Sequence, residues 1–208
     1  LLEHCESAFS GRYLVGPTQI LKAHFTLASF FSKQTEPMLA GLKDVRLLES
    51  AVFRQVAGYN NIQKWDDRFE IIATLFYGLI KDHPFHDGNK RTALLMSLYH
   101  LWLCRRFPNS SERKFEQLTV AVAENKLGKY SGYDQHKKRP DAEILFLADF
   151  FRKNTRDIDN AYYLVTYRQL DSILNNFGFC LDNPHPNRID ICRIEDEKTG
   201  WLRKRSRQ

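Results

Sequence analysis

The stretch His83-Pro-Phe-His-Asp-Gly-Asn-Lys-Arg91 begins where one helical pattern ends, and it carries the most unusual chemistry of the chain. Apolar residues recur at helical spacing over residues 69–80, just before it. Asp67 followed by Glu70 is typical of a helix start. Pro84 ends this helix, because the residue before a proline avoids the helical region. Residues 83–91 are called the 83–91 loop below.

A second helix is predicted directly after this loop. Asn89 can cap its N-terminus, and Pro108 is expected to stop it. An apolar stripe at helical spacing lies between these two residues, formed by Ala93, Leu94, Leu98, Leu101 and Trp102. The 83–91 loop is therefore predicted to join two helices.

The other segments of the first 155 residues are also predicted to be mainly helical. Residues 129–140 are polar and basic and contain glycine, which favours a loop. Four further helical patterns are present, over residues 20–28, 47–52, 115–123 and 142–151. These patterns predict a mainly α fold, a helical bundle, for a domain over residues 10–155.

The composition changes near residue 155, and a second, smaller unit is predicted over residues 161–208. A helical pattern at residues 168–177 is closed by Gly178. Three segments have the aromatic and apolar character of strands, residues 162–165, 179–181 and 188–194. Their order predicts a small C-terminal β-α-β-β module.

The overall composition is that of a soluble globular protein. Hydrophobic residues make up 43% and charged residues 27% of the 208 residues, which is ordinary. No apolar run approaches the length of about 18 residues that a membrane span needs, and no secretory leader is visible at the start. No two of the four cysteines are spaced C-x-x-C, which argues against a disulfide scaffold or a thiolate zinc site. We therefore expect a cytoplasmic protein that makes no contact with a membrane.

The net charge of +6 comes partly from two basic clusters, residues 137–139 and 203–207. Basic runs can attract nucleic acid or acidic partners. More often they only keep a loop or a tail solvated, and that interpretation is preferred here.

The 83–91 loop combines several groups that bind phosphate. The first amide groups of a helix carry a positive partial charge, so the predicted helix start at Asn89 is an anion site. Gly88 lets backbone approach the anion closely, and Lys90 and Arg91 add two cations. Cations are unfavourable at a helix N-terminus unless an anion binds them. The sequence therefore predicts that Gly88, Asn89, Lys90 and Arg91 bind phosphate groups.

Two more residues of the loop complete the parts of phosphoryl transfer. Asp87 is a hard oxygen ligand that suits Mg²⁺, and His83 is a candidate general base. Each has a simpler interpretation, because Asp-Gly is often a plain turn and most histidines do not catalyse. Phe85 is expected to pack into the core and to have no chemical role.

The 83–91 loop, continued by Thr92 and Ala93, resembles the signature H-x-F-x-[D/E/N]-[G/A]-N-[G/K]-R of the Fic/Doc family. It is most similar to the death-on-curing (Doc) branch, which carries Asn-Lys-Arg-Thr-Ala. Gly41-Leu-Lys-Asp44, followed by Leu47-Leu-Glu-Ser-Ala51, resembles the upstream stretch of that branch. The resemblance covers about residues 12–153.

The resemblance implies a Fic-type helical bundle with the signature loop between two central helices. It also implies that His83 takes the proton from a hydroxyl of a target protein, that Asp87 binds Mg²⁺, and that residues 88–91 hold the phosphates of ATP. Family members present a flap that binds the target chain by strand pairing, and residues 59–64 lie where the flap is expected.

Two departures from the AMP-transferring members point to phosphate transfer. Those members usually have glycine where this chain has Lys90, and a second arginine where it has Leu94. Both differences match the Doc pattern, in which the γ-phosphate is transferred. The self-inhibiting motif [S/T]-x-x-x-E-[G/N] is absent, since Ser32 to Glu36 is followed by Pro37. A separate antitoxin protein would then control a toxin of this kind.

The C-terminal module resembles the β-α-β-β fold of HicA-like RNA-cleaving toxins. Those toxins carry Gly-Ser-His before the last strand, whereas this chain has Asn183-Pro-His185-Pro-Asn187. His185 is therefore interpreted as a turn residue, and the module as an RNA- or partner-binding unit at most.

Three alternatives to a phosphotransferase remain open at this stage. The chain could transfer AMP, or it could bind a nucleotide or RNA without turnover. A zinc hydrolase could use His83 and His86, but Pro84 prevents the helix that would place both on one face, and no third ligand is evident.

Overall fold

The apolar periodicity of the first part of the chain produces six α-helices in the structure, a computed structural model that describes residues 14–32, 37–60, 62–158, 165–185 and 188–194. The mainly α fold is thereby confirmed. The helices are α1 (Pro17–Phe31), α2 (Val45–Phe53), α3 (Arg68–Lys81), α4 (Asn89–Leu103), α5 (Glu112–Ala123) and α6 (Ala142–Lys153).

The centre of this bundle is α3, which packs against α2, α4 and α6. Nine of its residues are buried, so it has apolar neighbours on most of its circumference. Asp67 caps its N-terminus as predicted, because the carboxylate Oδ1 accepts from the backbone N–H groups of Phe69 and Glu70. The buried helix α3 therefore ends directly before the 83–91 loop.

Two expectations for α4 are wrong. Trp102 was placed on the apolar stripe, but 58% of its surface is exposed. The helix also ends at Leu103, before Pro108, because Arg105 has a positive φ of 58° and turns the chain out of the helix. The residues that follow enter a strand instead.

This strand, β3 (Arg106–Pro108), pairs antiparallel with β4 (Thr155–Asp157), so the chain after α4 is joined to the chain after α6. A shorter antiparallel pair, β1 (Gly58–Tyr59) with β2 (Ile62–Gln63), lies between α2 and α3. Residues 129–140 contain one 3₁₀ turn, Tyr133–Gln135, within an otherwise irregular segment.

The chain divides into two compact units, Leu1–Ile158 and Asp159–Gln208. In the second unit, α7 (Tyr167–Asn175) is followed by the antiparallel pair β5 (Phe179–His185) and β6 (Arg188–Arg193). These elements match the predicted helix and the last two strands. Residues 162–164 of the first predicted strand lie outside the described residues, and the assignment of residues 161–208 as a HicA-like module remains a prediction.

Candidate active site: the 83–91 loop

The 83–91 loop connects α3 to α4 through a left-handed turn. α3 ends at Lys81, Asp82 follows as its C-cap, and the side chain of Asp82 accepts two hydrogen bonds from Arg54 (3.3 and 3.0 Å). His83 then has a φ of 51°, which residues other than glycine rarely adopt, and its side chain is exposed. The candidate base therefore lies at the surface, on a backbone that the end of the core helix fixes.

Residues 41–44 pair with the middle of this loop. The N–H of His86 donates to the carbonyl of Gly41 (3.1 Å), and the N–H of Lys43 donates to the carbonyl of Pro84 (2.7 Å). Between these bonds, Leu42 and Phe85 form an isolated antiparallel bridge. The upstream motif that begins at Gly41 thus supports the loop from outside by strand-like pairing.

Phe85 is buried, as predicted, and holds the loop against the core. Asn89 fixes it further, because its side chain accepts from the N–H of Phe85 (2.9 Å) and donates to the carbonyl of Phe85 (2.8 Å). The expectation that Asn89 caps α4 is wrong, since the N-cap is Gly88 and Asn89 is the first helical residue. The Asn89 side chain bonds the backbone of the loop, while the Asn89 backbone forms the first residue of α4.

Gly88 has a φ of 73° and lies directly against Met38. A Cβ built on Gly88 would lie 2.4 Å from the Sδ of Met38, which is closer than any real contact. The backbone conformation of this position favours glycine, and any side chain here would also require the buried Met38 side chain to shift.

The start of α4 has the properties of an anion site. Its first turn contains no acidic residue, and the first N–H groups of any α-helix have no partner within the helix. Lys90 and Arg91 are both exposed there. The Arg91 guanidinium lies 4.7 Å from the ring centroid of Phe31 on α1 and 3.8 Å from the Oδ2 of Asp87. The structure thus brings Asp87, Gly88, Asn89, Lys90 and Arg91 together in one helix start, with His83 at the other end of the same loop.

Asp87 fits the role of a magnesium ligand. Its Oδ1 accepts from the N–H of Gly88, its Oδ2 faces Arg91, and the side chain is 46% exposed, so a cation can reach it. Within the described residues, no group of three or more His, Cys, Asp or Glu side chains is arranged to hold a metal. Mg²⁺ is commonly held by one or two carboxylates together with phosphate oxygens and water. A single carboxylate beside a phosphate site is compatible with that mode.

Sequence reasoning missed one residue of this region, His24 on α1. Its side chain is completely buried and lies stacked on Phe85, with ring centroids 3.8 Å apart and an angle of 8° between the planes. Burial lowers the pKa of the His24 imidazole, and the negative charge of Asp87 opposes this shift only in part. Its signal in the sequence was an unremarkable histidine on the apolar side of a predicted helix.

The β1–β2 pair carries two large apolar side chains into solvent. Tyr59 is 81% exposed and Ile62 is 73% exposed, and these two residues are paired across the strands. The hairpin coincides with residues 59–64, where the flap was expected.

The loop between two central helices of the bundle thus places a candidate anion site beside a carboxylate and a histidine. Residues 15–101, from α1 to the end of α4, match the model of the Fic/DOC family. Over this segment, which is less than half of the 208 residues, the match confirms the resemblance to the Fic/Doc family. The match does not separate the Doc branch from the others, and it is shorter than the resemblance over residues 12–153. Among the curated proteins, none matches the chain.

The family match indicates a general chemistry. Members of the Fic/Doc family generally transfer nucleotide-derived groups onto proteins, and they use ATP, usually with a divalent metal. No helix within the described part of the chain is long and apolar enough to cross a membrane.

Proposed function

We propose that this protein transfers the γ-phosphate of ATP to a hydroxyl of a target protein. The observation that carries the proposal is the start of α4, where Lys90 and Arg91 extend from an uncapped helix N-terminus beside the Asp87 carboxylate. A triphosphate matches this set of donors, because the helix start and the two cations all attract anionic oxygens.

Each residue of the loop has a separate task in this proposal. Asp87 would hold Mg²⁺, which neutralises charge on the phosphates of ATP when it is bound. The N–H groups of Gly88 and Asn89, together with Lys90 and Arg91, bind phosphate oxygens, and for this the Gly88 N–H exchanges the Oδ1 of Asp87 for the ligand. The Arg91 guanidinium lies against the Phe31 ring and near Asp87, and on phosphate binding it would exchange Asp87 for the ligand.

His83 acts on the target protein. Its imidazole accepts the proton of the target hydroxyl while the hydroxyl oxygen attacks the γ-phosphorus. The bond between the γ-phosphorus and the bridging oxygen breaks, and ADP leaves. The exposed position of His83 supports this role, because a protein substrate must reach the base from outside.

The β1–β2 hairpin supports a protein as the substrate. Tyr59 and Ile62 are among the most exposed large apolar side chains of the described residues, and a two-stranded pair offers strand edges to an extended chain. We propose that this flap binds the target by strand pairing and brings its hydroxyl to His83.

Lys90 favours phosphate transfer over AMP transfer. It adds a cation to the first turn of α4, where an extra phosphate is attracted and where space near the α-phosphate is filled. The competing proposal, AMP transfer, places the α-phosphorus next to the hydroxyl and releases pyrophosphate.

One experiment separates these reactions. The protein is incubated with Mg²⁺, a lysate and ATP labelled at either the α- or the γ-phosphate, and the modified proteins are then analysed by intact mass. We expect label from the γ position and the mass of one phosphate. Label from the α position would establish AMP transfer instead, and no label from either position would leave a binding module without turnover.

A toxin role, with a separate antitoxin as its inhibitor, is the proposed biological setting. It rests on the Doc-like residues at 90–93 and on the missing self-inhibiting motif. Induction in a bacterial host should arrest growth, and His83→Ala should relieve the arrest. Harmless expression of soluble protein that transfers phosphate in the labelling experiment would contradict the toxin role alone.

A further inference from the structure

His24 is a buried histidine that the proposed chemistry does not use, and its ring makes three contacts with the framework of the 83–91 loop. Its Nδ1 lies 3.2 Å from the Oγ1 of Thr92 in the first turn of α4. Its Nε2 lies 3.1 Å from the backbone nitrogen of Gly41. Its ring face is stacked on Phe85 in the middle of the loop. One side chain therefore contacts the middle of the 83–91 loop, the helical turn that follows the loop, and the segment that pairs with it.

These contacts determine the protonation state of the ring. The N–H of Gly41 can only donate, so Nε2 must be the nitrogen without a proton. In a neutral imidazole the proton then lies on Nδ1, which donates to the hydroxyl of Thr92. Protonation of the ring would remove the acceptor at Nε2 and place two N–H groups against each other.

A chain of hydrogen bonds runs through this neutral ring. It begins at Thr92, next to Arg91, passes through His24 to the N–H of Gly41, and continues from the carbonyl of Gly41 to the N–H of His86, next to Asp87 (3.1 Å). The two ends of the chain are the neighbours of the residues proposed to bind phosphate and metal. The chain therefore links the two segments that carry these residues.

We propose that His24 is a positioning residue that sets the curvature of the 83–91 loop, by joining the first turn of α4 to residues 41–44 through both ring nitrogens. The consequence for activity rests on the proposed function: His24 fixes where His83 and Asp87 stand relative to the phosphate donors of α4. If His24 only filled space in the core, any ring of similar size would serve equally well.

Two variants distinguish a role of His24 in positioning the loop from a role in core packing alone. His24→Phe keeps an aromatic ring that can stack on Phe85 but loses both hydrogen bonds. His24→Gln loses the ring but keeps an amide oxygen that can accept from the N–H of Gly41, close to the position of Nε2. If the hydrogen bonds matter, the glutamine variant retains more of the wild-type behaviour than the phenylalanine variant, although phenylalanine preserves the packing better.

The first readout needs no activity. In the wild-type protein, the ¹⁵N shifts of the His24 ring should show the neutral Nδ1–H form at pH 7.5. The amide hydrogens of Gly41 and His86 should exchange slowly. Both should exchange at least about ten times faster in His24→Phe, since each tenfold loss of protection corresponds to about 1.4 kcal/mol of local opening. In His24→Gln the Gly41 amide should stay close to wild type.

The second readout is the split between kcat and KM for ATP. The phosphate donors on α4 remain in a helix, whereas His83 depends on the loop, so His24→Phe should lower kcat by about 10- to 100-fold and change KM much less. His24→Gln should recover part of that loss. A wild-type protein that transfers nothing contradicts the proposed function, while the exchange and ¹⁵N measurements still test His24.

Three results would overturn the positioning role. One is a ring that carries its proton on Nε2. Another is unchanged protection of the Gly41 and His86 amides in His24→Phe. The third is a phenylalanine variant more active than the glutamine variant at equal global stability, which would show that the ring matters only for packing. If His24→Phe does not fold, the ¹⁵N form of the wild-type ring and the protection in His24→Gln decide the question.

Discussion

The 83–91 loop and the β5–β6 hairpin each contain a histidine, and a glycine of positive φ lies within the loop (Gly88) and directly before the hairpin (Gly178), but the two regions differ in what surrounds them. The loop contains the buried Phe85 and packs against α1 and residues 38–44. Within residues 165–185 and 188–194, by contrast, no side chain is buried. The conformation of the hairpin is supported by strand pairing and by local bonds such as that from the Leu181 N–H to Asp171 (2.8 Å).

This difference indicates which of the two regions can hold reacting groups in fixed positions. Catalysis requires that reacting groups be held to within a fraction of an ångström, and buried neighbours on several sides supply that precision. His83 stands on such a framework, while His185 stands at the end of an exposed strand, opposite Arg188. The contrast favours His83 over His185 for the proposed role of general base.

The largest expected effect tests this assignment directly. His83→Ala should lower the rate of transfer at least about 100-fold, the usual scale for loss of a general base. His185→Ala, the matched control, should leave the rate unchanged. Rates are measured with γ-labelled ATP, and circular dichroism checks that both variants fold. Equal rates for His83→Ala and the wild type would remove His83 from the mechanism, and a loss in His185→Ala would mean that the hairpin takes part.

A smaller effect is expected from alanine at the two glycines, because both have positive φ but only one is crowded. Gly178→Ala should cost about 1–2 kcal/mol, the cost of a left-handed conformation, since a Cβ there meets nothing within 4 Å. Gly88→Ala carries the same cost and adds overpacking against Met38, which is worth about 1–3 kcal/mol more. Amide hydrogen exchange measures the local stability of α4 and of the β5–β6 hairpin separately.

The double variant Met38→Ala, Gly88→Ala sharpens this test. Removing the Met38 side chain makes room for the new Cβ, so the clash should disappear, although the smaller side chain at position 38 has its own packing cost. The coupling between the two substitutions should therefore be favourable. Purely additive effects would show that the surroundings of Gly88 do not matter, and the two regions would then differ less than the structure indicates.

The helices could be predicted from the spacing of apolar residues in the sequence. The contacts that hold the candidate active site in place could not. The spacing of Phe69, Ile72, Ala73 and Phe76 predicted α3, because one helix buries all of them. The strands β3 and β4 were missed because three residues containing proline or charges carry no strand pattern. They pair only because α4 and α6 end close together.

The same limit applies to the 83–91 loop. Its residue types indicated phosphate chemistry, but the partner of the Asn89 side chain is a backbone group four residues earlier, and His24 is far away along the chain. Contacts across such a separation depend on how α1 packs on α4, which no local pattern encodes. Sequence therefore predicted which groups the site contains, and the fold was needed to find what positions them.

The smallest expected effect is a dependence of stability on pH that comes from His24, next to the 83–91 loop. The pKa of His24 is lowered below its ordinary value of 6.5 by burial, while Asp87 opposes the shift. In the unfolded chain the ring returns to its ordinary pKa and binds a proton more readily. The unfolded state then binds more protons than the native state at pH values between the lowered pKa and 6.5, so stability rises with pH across that window.

The full contribution of His24 is therefore present above pH 6.5 and declines as the pH falls toward the lowered pKa of the folded state, below which the curve is flat again. Urea unfolding of the wild type and of His24→Gln, at pH values from 7.5 to 5, isolates this contribution as the difference between the two curves. The difference should shrink as the pH falls, because glutamine does not titrate. Parallel curves for His24→Gln and the wild type would mean that the imidazole is not held neutral by its contacts with Gly41 and Thr92, and the hydrogen-bond chain through the loop would lose its central member.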